Sequence, residues 1–339
     1  MSNELPVRFG VGYDFRNPGP WRRSYEQLYQ DSLDQICWAE DLGFDSVWLT
    51  EHHFCDDGYT PSPLLILSAV ATRTTRMRLG TNLMIAPLHD PVRLAEDVAT
   101  LAILSGGRVD FGIGGGYREL EFEAFGRKLI NRPSLLEESV AIFRRAWSGT
   151  PLDFQGKRFH YPAVTVAPVP SIAPRLLMGA NSEAAIERAA RLADGFLASD
   201  ISAFDQYLAA VQRIGKDPAH ANMFICDRSI IAEDPEATWA AISQHAVYQL
   251  NEYRKWGLFG PPDSMPPFRD GAQVLEAGIY RLFDARGAIE ELLRMIDRWP
   301  QIRDISFWAQ LPGEPVESGS RRLAYIAAEV LPEVRAALE

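Results

Sequence analysis

Three short runs of residues could do chemistry. Glu51-His52-His53 sets one acid and two imidazoles side by side, directly after the apolar run Ser46–Thr50. Neighbouring side chains on an extended chain point to opposite sides, so the two histidines do not converge on one ion. His-Glu-x-x-His spacing is absent, and the expectation is no metal site. One histidine facing a pocket would serve as an acid or base near neutral pH, with its neighbour structural; the plainer reading is a pair of surface or capping histidines. The second run is Gly112-Ile113-Gly114-Gly115-Gly116-Tyr117. A dinucleotide fingerprint would need glycine where Tyr117 stands, so that reading fails. Bare backbone at a strand end still allows close approach of a flat or phosphorylated ligand, or simply a tight turn. The third run, Gly179-Ala180-Asn181-Ser182, opens a helical stretch; Asn181 or Ser182 is placed to cap it, and a helix N-terminus also favours an anion. No phosphate-loop lysine motif and no Gly-x-Ser-x-Gly elbow occurs, and nothing marks Cys37, Cys55 or Cys226 as activated.

These runs sit at repeating positions in the chain. Apolar strand-like segments alternate with helical ones: Val7–Tyr13, Ser46–Thr50, Met77–Ala86 and Arg108–Ile113 early, then the segments RLLMGA, GFLAS, MFICDRSIIA and DISFWAQL. Each is followed by a stretch with helical spacing of apolar residues. Eight such alternations predict a (β/α)8 TIM barrel with insertions, one domain over residues 1–339, rather than a doubly wound sheet. Residues 152–170 break the rhythm as an extended excursion or hairpin. Residues 257–278, rich in Pro and Gly, form a candidate lid. Aromatics crowd the late part. Phe259 and Phe268, on the Pro-rich stretch, would close over an apolar substrate or dock in an oligomer interface. With Tyr13, at the end of the first strand, they form the candidate substrate pocket.

Composition narrows the partners. The 339 residues carry 45 acidic and 34 basic side chains, a net charge of −11, which argues against nucleic acid or an anionic membrane surface. Three scattered cysteines give no disulfide framework. The first residues lack a basic start and an apolar run, and no segment reaches the roughly 18 apolar residues of a membrane span. The expectation is a cytoplasmic protein with no membrane partner.

Several runs together have a familiar order. Leu42 through Phe54, Leu79-Gly80-Thr81, His89 through Asp97, Gly107 through Gly112 and Glu121 through Gly126 resemble the bacterial luciferase-like flavin-dependent monooxygenases, most strongly over the first 130 residues. The resemblance implies a barrel that binds reduced FMN at the strands' carboxyl ends. There O2 forms a C4a-peroxyflavin that oxidises a small apolar organic substrate. It implies His52 as the catalytic histidine and Glu51, Thr81, Asn82 and Leu83 beside the flavin, with a non-proline cis bond between Asn82 and Leu83. Gly115, Tyr117, Ala180, Asn181 and Ser182 would hold the phosphate and ribityl chain. In luciferase itself an arginine stands where Gly115 is; Arg118 is the neighbouring cation here. The resemblance also implies a homodimer through early helices and a separate NAD(P)H-dependent flavin reductase. Two alternatives share these motifs: a hydride-transfer oxidoreductase using a deazaflavin coenzyme, and a flavin-binding protein without turnover.

Overall fold

The structure is a computed structural model that describes residues 7–261 and 264–339. The first six residues, and 262–263 of the candidate lid, lie outside the described residues. Parallel strands follow one another around a ring: β1 (Arg8–Tyr13), β2 (Ser46–Leu49), β3 (Arg78–Thr81) with its continuation β4 (Met84–Ile85), and β5 (Val109–Gly114). Two strands, β6 (Leu152–Gln155) and β7 (His160–Val164), stand outside it as an antiparallel pair, in the segment set apart as an excursion. The ring resumes with β8 (Arg175–Gly179), β9 (Gly195–Ala198) and β10 (Met223–Asp227). Two short strands, β11 (Ser229–Ile231) and β12 (Arg281–Phe283), pair with each other, and β13 (Ile302–Trp308) pairs with β1. Pairing of β3 with β5 and of β13 with β1 completes a closed eight-stranded parallel barrel. The barrel expected from the alternation is therefore present.

Local chemistry explains many boundaries. Helix α1 (Tyr25–Asp41) starts where the Ser24 hydroxyl accepts the Gln27 N–H, and the chain leaves it through Gly43 at φ +93°, a conformation that suits glycine. Helix α2 covers Pro63–Arg73. Helix α3 (Pro91–Leu104) has Pro91 at its first position and the Asp90 carboxylate capping the Val92 and Arg93 N–H groups.

Three expectations are refined. The segment Met77–Ala86 is not one strand: β3 stops at Thr81, the Asn82–Leu83 peptide is cis, and β4 follows. The MFICDRSIIA run divides at Arg228, because its second half pairs with β12 instead of continuing in the ring. The closing helical stretch, expected from apolar spacing over Arg321–Leu338, starts earlier, at Val316, and carries a π-helical stretch at Ile326–Val330.

By internal contacts the chain resolves into two compact units. One holds the chain up to Ser46, Cys55–Tyr59 and Cys226–Glu339; its core joins Trp239, Leu250, Phe268, Tyr280 and Trp308. The other holds Val47–Phe54 and Thr60–Ile225, with Trp48, Leu177, Leu197 and Phe224 at its centre. Gly80 gives the Trp48 ring its place, since a Cβ there would lie 2.2 Å from a ring carbon. Among the described residues no helix is long and apolar enough to cross a membrane.

Candidate functional site

All four residues of β2 are buried, and the chain stays buried as it leaves the strand: Glu51, His52 and His53 are each less than a tenth exposed. The two histidines turn to different partners, as alternation along an extended chain requires. His52 Nδ1 lies 2.8 Å from Glu121 Oε1, and its Nε2 lies 3.2 Å from the Tyr117 hydroxyl. His53 Nε2 meets Glu51 Oε1 at 3.1 Å.

Glu121 comes from the short helix α4 (Glu119–Ala124), beyond the glycine turn that ends β5. It is fully buried, and Oε1 also accepts the His53 backbone N–H at 2.9 Å. Its other oxygen, Oε2, is buried without a hydrogen-bond partner. A carboxylate on Nδ1 fixes the ring and its tautomer, so that proton exchange with Tyr117 or a ligand falls to Nε2. Glu121 was quoted in sequence only as part of a family motif; its position against His52 spans 69 residues, which no local pattern reports.

Glu51 forms a second cluster. Its Oε1 lies 2.7 Å from His89 Nε2, and its Oε2 accepts the Ile85 backbone N–H. Burial alone would raise this carboxyl, but His89 and His53 together hold it down to about 2. Burial pushes His89 downward, and the Glu51 carboxylate more than reverses that, raising it. The ligating atoms of Glu51, His53 and His89 lie within 4.8 Å of one another, a donor set able to take a cation. In their present geometry they also satisfy one another as a hydrogen-bonded clamp. Adjacency in the chain points only to the paired histidines; His89 joins them from 38 residues beyond Glu51.

Of the predicted phosphate residues, Gly115 and Ser182 line a cavity of about 160 Å³ together with Gly179, whereas Tyr117, Ala180 and Asn181 are not part of its wall. Arg132 and Arg188 join them there, neither of which the sequence marked. The expected caps are absent: Ser182 makes no side-chain cap bond to helix α6 (Glu183–Leu192), and Asn181 Oδ1 instead accepts the Ser199 hydroxyl at 2.6 Å. Arg118 is engaged elsewhere, with its guanidinium on the carbonyls of His53 and Phe54. Thr81 exchanges two hydrogen bonds with the Gly112 backbone, at 2.7 and 2.9 Å. Leu83 lies against Gly114 and Gly179, where a Cβ would come within 2.6 and 2.4 Å of its methyl groups. Those two glycines thus make room for Leu83, whereas Gly115 opens onto the cavity.

Tyr13, Phe259 and Phe268 belong to the other unit. Tyr13 is buried, with its hydroxyl 3.0 Å from Gln35 Oε1, and burial raises its pKa. Phe268 lies in a core cluster that includes neither of the other two, and Phe259 is exposed. The same unit holds an arrangement the sequence did not reveal. Buried Arg16 donates from Nε to Asp57 at 2.6 Å, and the rings of Tyr59, Tyr248, Tyr253 and Trp256 stand 5.1–5.6 Å from its guanidinium carbon. Its two terminal nitrogens have no hydrogen-bond partner. Four aromatic faces supply cation–π attraction instead.

Comparisons with known proteins place this geometry. The oxygenase component of the flavin-dependent trigonelline monooxygenase of Acinetobacter baylyi is 30% identical over 44% of this chain and 42% of its own length. The F420-dependent glucose-6-phosphate dehydrogenase of Nakamurella multipartita is 31% identical over 57% of this chain and 56% of its own length. This chain spans about half the length of the curated relatives it matches. In fold it is similar to the monooxygenase RslO1 of Streptomyces bottropensis, with a TM-score of 0.78 at 24% identity, covering 96% of this chain and 99% of that one. The family model described as luciferase-like monooxygenase matches residues 8–277. With four-fifths of its length under that match, the chain belongs to the luciferase-like monooxygenase family.

Proposed function

We propose that this chain is a flavin-dependent monooxygenase that takes reduced FMN and O2 and oxidises a small apolar organic substrate. The observation that carries the reading is His52, buried where β2 ends, oriented by Glu121 and presenting Nε2 beside Tyr117. Bound reduced FMN would supply the activation of oxygen. The protein's part is to place a proton-exchanging imidazole in a site that is largely dry. Thr81, Asn82, Leu83 and Glu51 would border the flavin ring. Gly115, Tyr117, Ala180, Asn181 and Ser182 would hold the ribityl phosphate. The cavity at Gly115 and Ser182, rimmed by two arginines, fits the anionic end of such a cofactor.

Of the aromatics expected from the sequence to meet an apolar substrate, Phe259 is the exposed one. No nicotinamide fingerprint occurs in the sequence, which suits a separate NAD(P)H-dependent reductase as the source of reduced flavin. The three unbridged cysteines suit a reducing compartment such as the cytoplasm.

Hydride transfer with a deazaflavin coenzyme is the second reading, favoured by relatives named for F420 dependence at 27–31% identity. Anaerobic titration with reduced FMN and with reduced F420 separates the two. Tighter binding of FMN supports the monooxygenase reading. Tight binding of F420, with FMN bound weakly and oxygen inert, overturns it.

A further inference from the structure

Gly115 presents no side chain to the cavity, and the side chain nearest that place is an arginine. The Cδ and Cγ of Arg132 lie 3.7 and 3.9 Å from where a Cβ on Gly115 would stand. Arg132 opens helix α5 (Arg132–Ala146) and forms part of the cavity wall. Among the described residues its guanidinium has no hydrogen-bond or ion-pair partner. The other cations nearby are occupied: Arg188 donates from Nε to Glu137 at 2.8 Å, and Arg118 holds two backbone carbonyls. The N-terminus of α6 also borders the cavity, but Glu183 in its first turn opposes an anion there. With a net charge of −11 on the chain, an anion entering this cavity needs a local cation. Arg132 is the one at hand.

We propose that Arg132 provides the positive charge for the phosphate of the bound cofactor. It reaches from α5 into the space that a side chain on the β5 glycine turn would otherwise occupy. The inference rests on the flavin reading above. It also sets Gly115 beside Arg132, because a side chain at 115 would start in van der Waals contact with the Arg132 stem and point its charge into the same space. A guanidinium suits the role through its planar fork of N–H donors, which matches two phosphate oxygens at once.

The test compares FMN with riboflavin, which lacks the phosphate, by fluorescence quenching on the full chain. Arg132→Ala is expected to weaken FMN binding about ten- to a hundredfold, the range for losing a charge-assisted contact, and to leave riboflavin unchanged. The double substitution Gly115→Arg with Arg132→Ala is expected to recover most of the FMN affinity. Equal weakening for both flavins, or an unchanged FMN affinity, overturns the proposal. If the unsubstituted chain binds neither flavin, the flavin reading fails on its own. The cavity is then probed with inorganic phosphate by phosphorus NMR line broadening. Broadening that disappears in Arg132→Ala supports an anion site built on Arg132, and broadening that persists, or is absent from the start, overturns it.

Discussion

Replacing Glu121 by glutamine tests whether the carboxylate acts through His52 or only fills space. The substitution keeps size and one acceptor oxygen but removes the charge. In the native site one oxygen accepts from His52 Nδ1 at 2.8 Å and from the His53 N–H at 2.9 Å. A hydrogen bond to a charged acceptor contributes about 1.5–3 kcal/mol and a neutral one about 0.5–1.5, so the hold on His52 weakens by about 1–2 kcal/mol. At about 1.4 kcal/mol per factor of ten, that is a five- to thirtyfold effect on any step that needs the oriented imidazole. Folding stability should fall by no more than about the same 1–2 kcal/mol, because Oε2, the other buried oxygen, has no hydrogen bond to lose. The substrate is not needed for the assay. Reduced FMN bound to the protein is mixed rapidly with oxygen, and the lifetime of the absorbance transient before full reoxidation is measured. Glu121→Gln should shorten it five- to thirtyfold with an unchanged FMN affinity and a melting temperature lowered by only about a few degrees. In a His52→Ala background the same change should have little further effect, since the carboxylate would have no ring left to orient. An unchanged lifetime, or additive effects in the double variant, would refute the reasoning.

Two further outcomes follow from the charged clusters. Glu51 is held at about 2 when folded against an ordinary value of 4.5, so it adds stability above the unfolded value that is lost as pH falls towards 2. The full shift corresponds to about 3 kcal/mol, and the raised His89 is the same interaction seen from its partner. Urea midpoints should therefore drop steeply between about pH 5 and 2, and Glu51→Gln should flatten that fall; an equally steep fall in the variant contradicts the assignment. Arg16→Met removes the cation from its aromatic cage and leaves the Asp57 carboxylate, only 4% exposed, without its ion-pair partner and with the Tyr248 hydroxyl and Tyr59 N–H as its remaining donors. Denaturant unfolding should report a loss of about 3–5 kcal/mol, partly recovered by adding Asp57→Asn. A loss under about 1 kcal/mol would mean the cage holds little of the fold together.

Much of the fold was legible because strand and helix periods are local. The starts of helix α3 and of the helix Ala285–Arg298 carry a local signal, an aspartate whose carboxylate caps the first turn. The misreadings share a cause. An apolar run does not say which neighbour its backbone pairs with, so Met77–Ala86 and MFICDRSIIA each looked like one strand. The capping role given to Asn181 and Ser182 failed because Ser199, 18 residues on, claims the Asn181 oxygen. Within the site, His52 was legible from position and alternation. His89, Arg132 and the clasp of Glu121 on His52 were not, since each depends on residues brought together across 17 to 69 positions of chain. Arg16 lies beside a Pro-Gly breaker and has no periodic context. Three of its four aromatic partners, Tyr248, Tyr253 and Trp256, lie on or directly after the helix Pro235–Lys255, more than 200 residues away.

The central claim is that a luciferase-like barrel uses His52 in oxygen chemistry on reduced FMN. Rapid mixing of the FMN-loaded protein with oxygen tests it most directly, comparing the unsubstituted chain with His52→Ala. The account predicts an absorbance transient distinct from both reduced and oxidised flavin, long-lived in the unsubstituted chain and sharply shortened in His52→Ala. Direct reoxidation without any transient, together with tight binding of reduced F420, would contradict it.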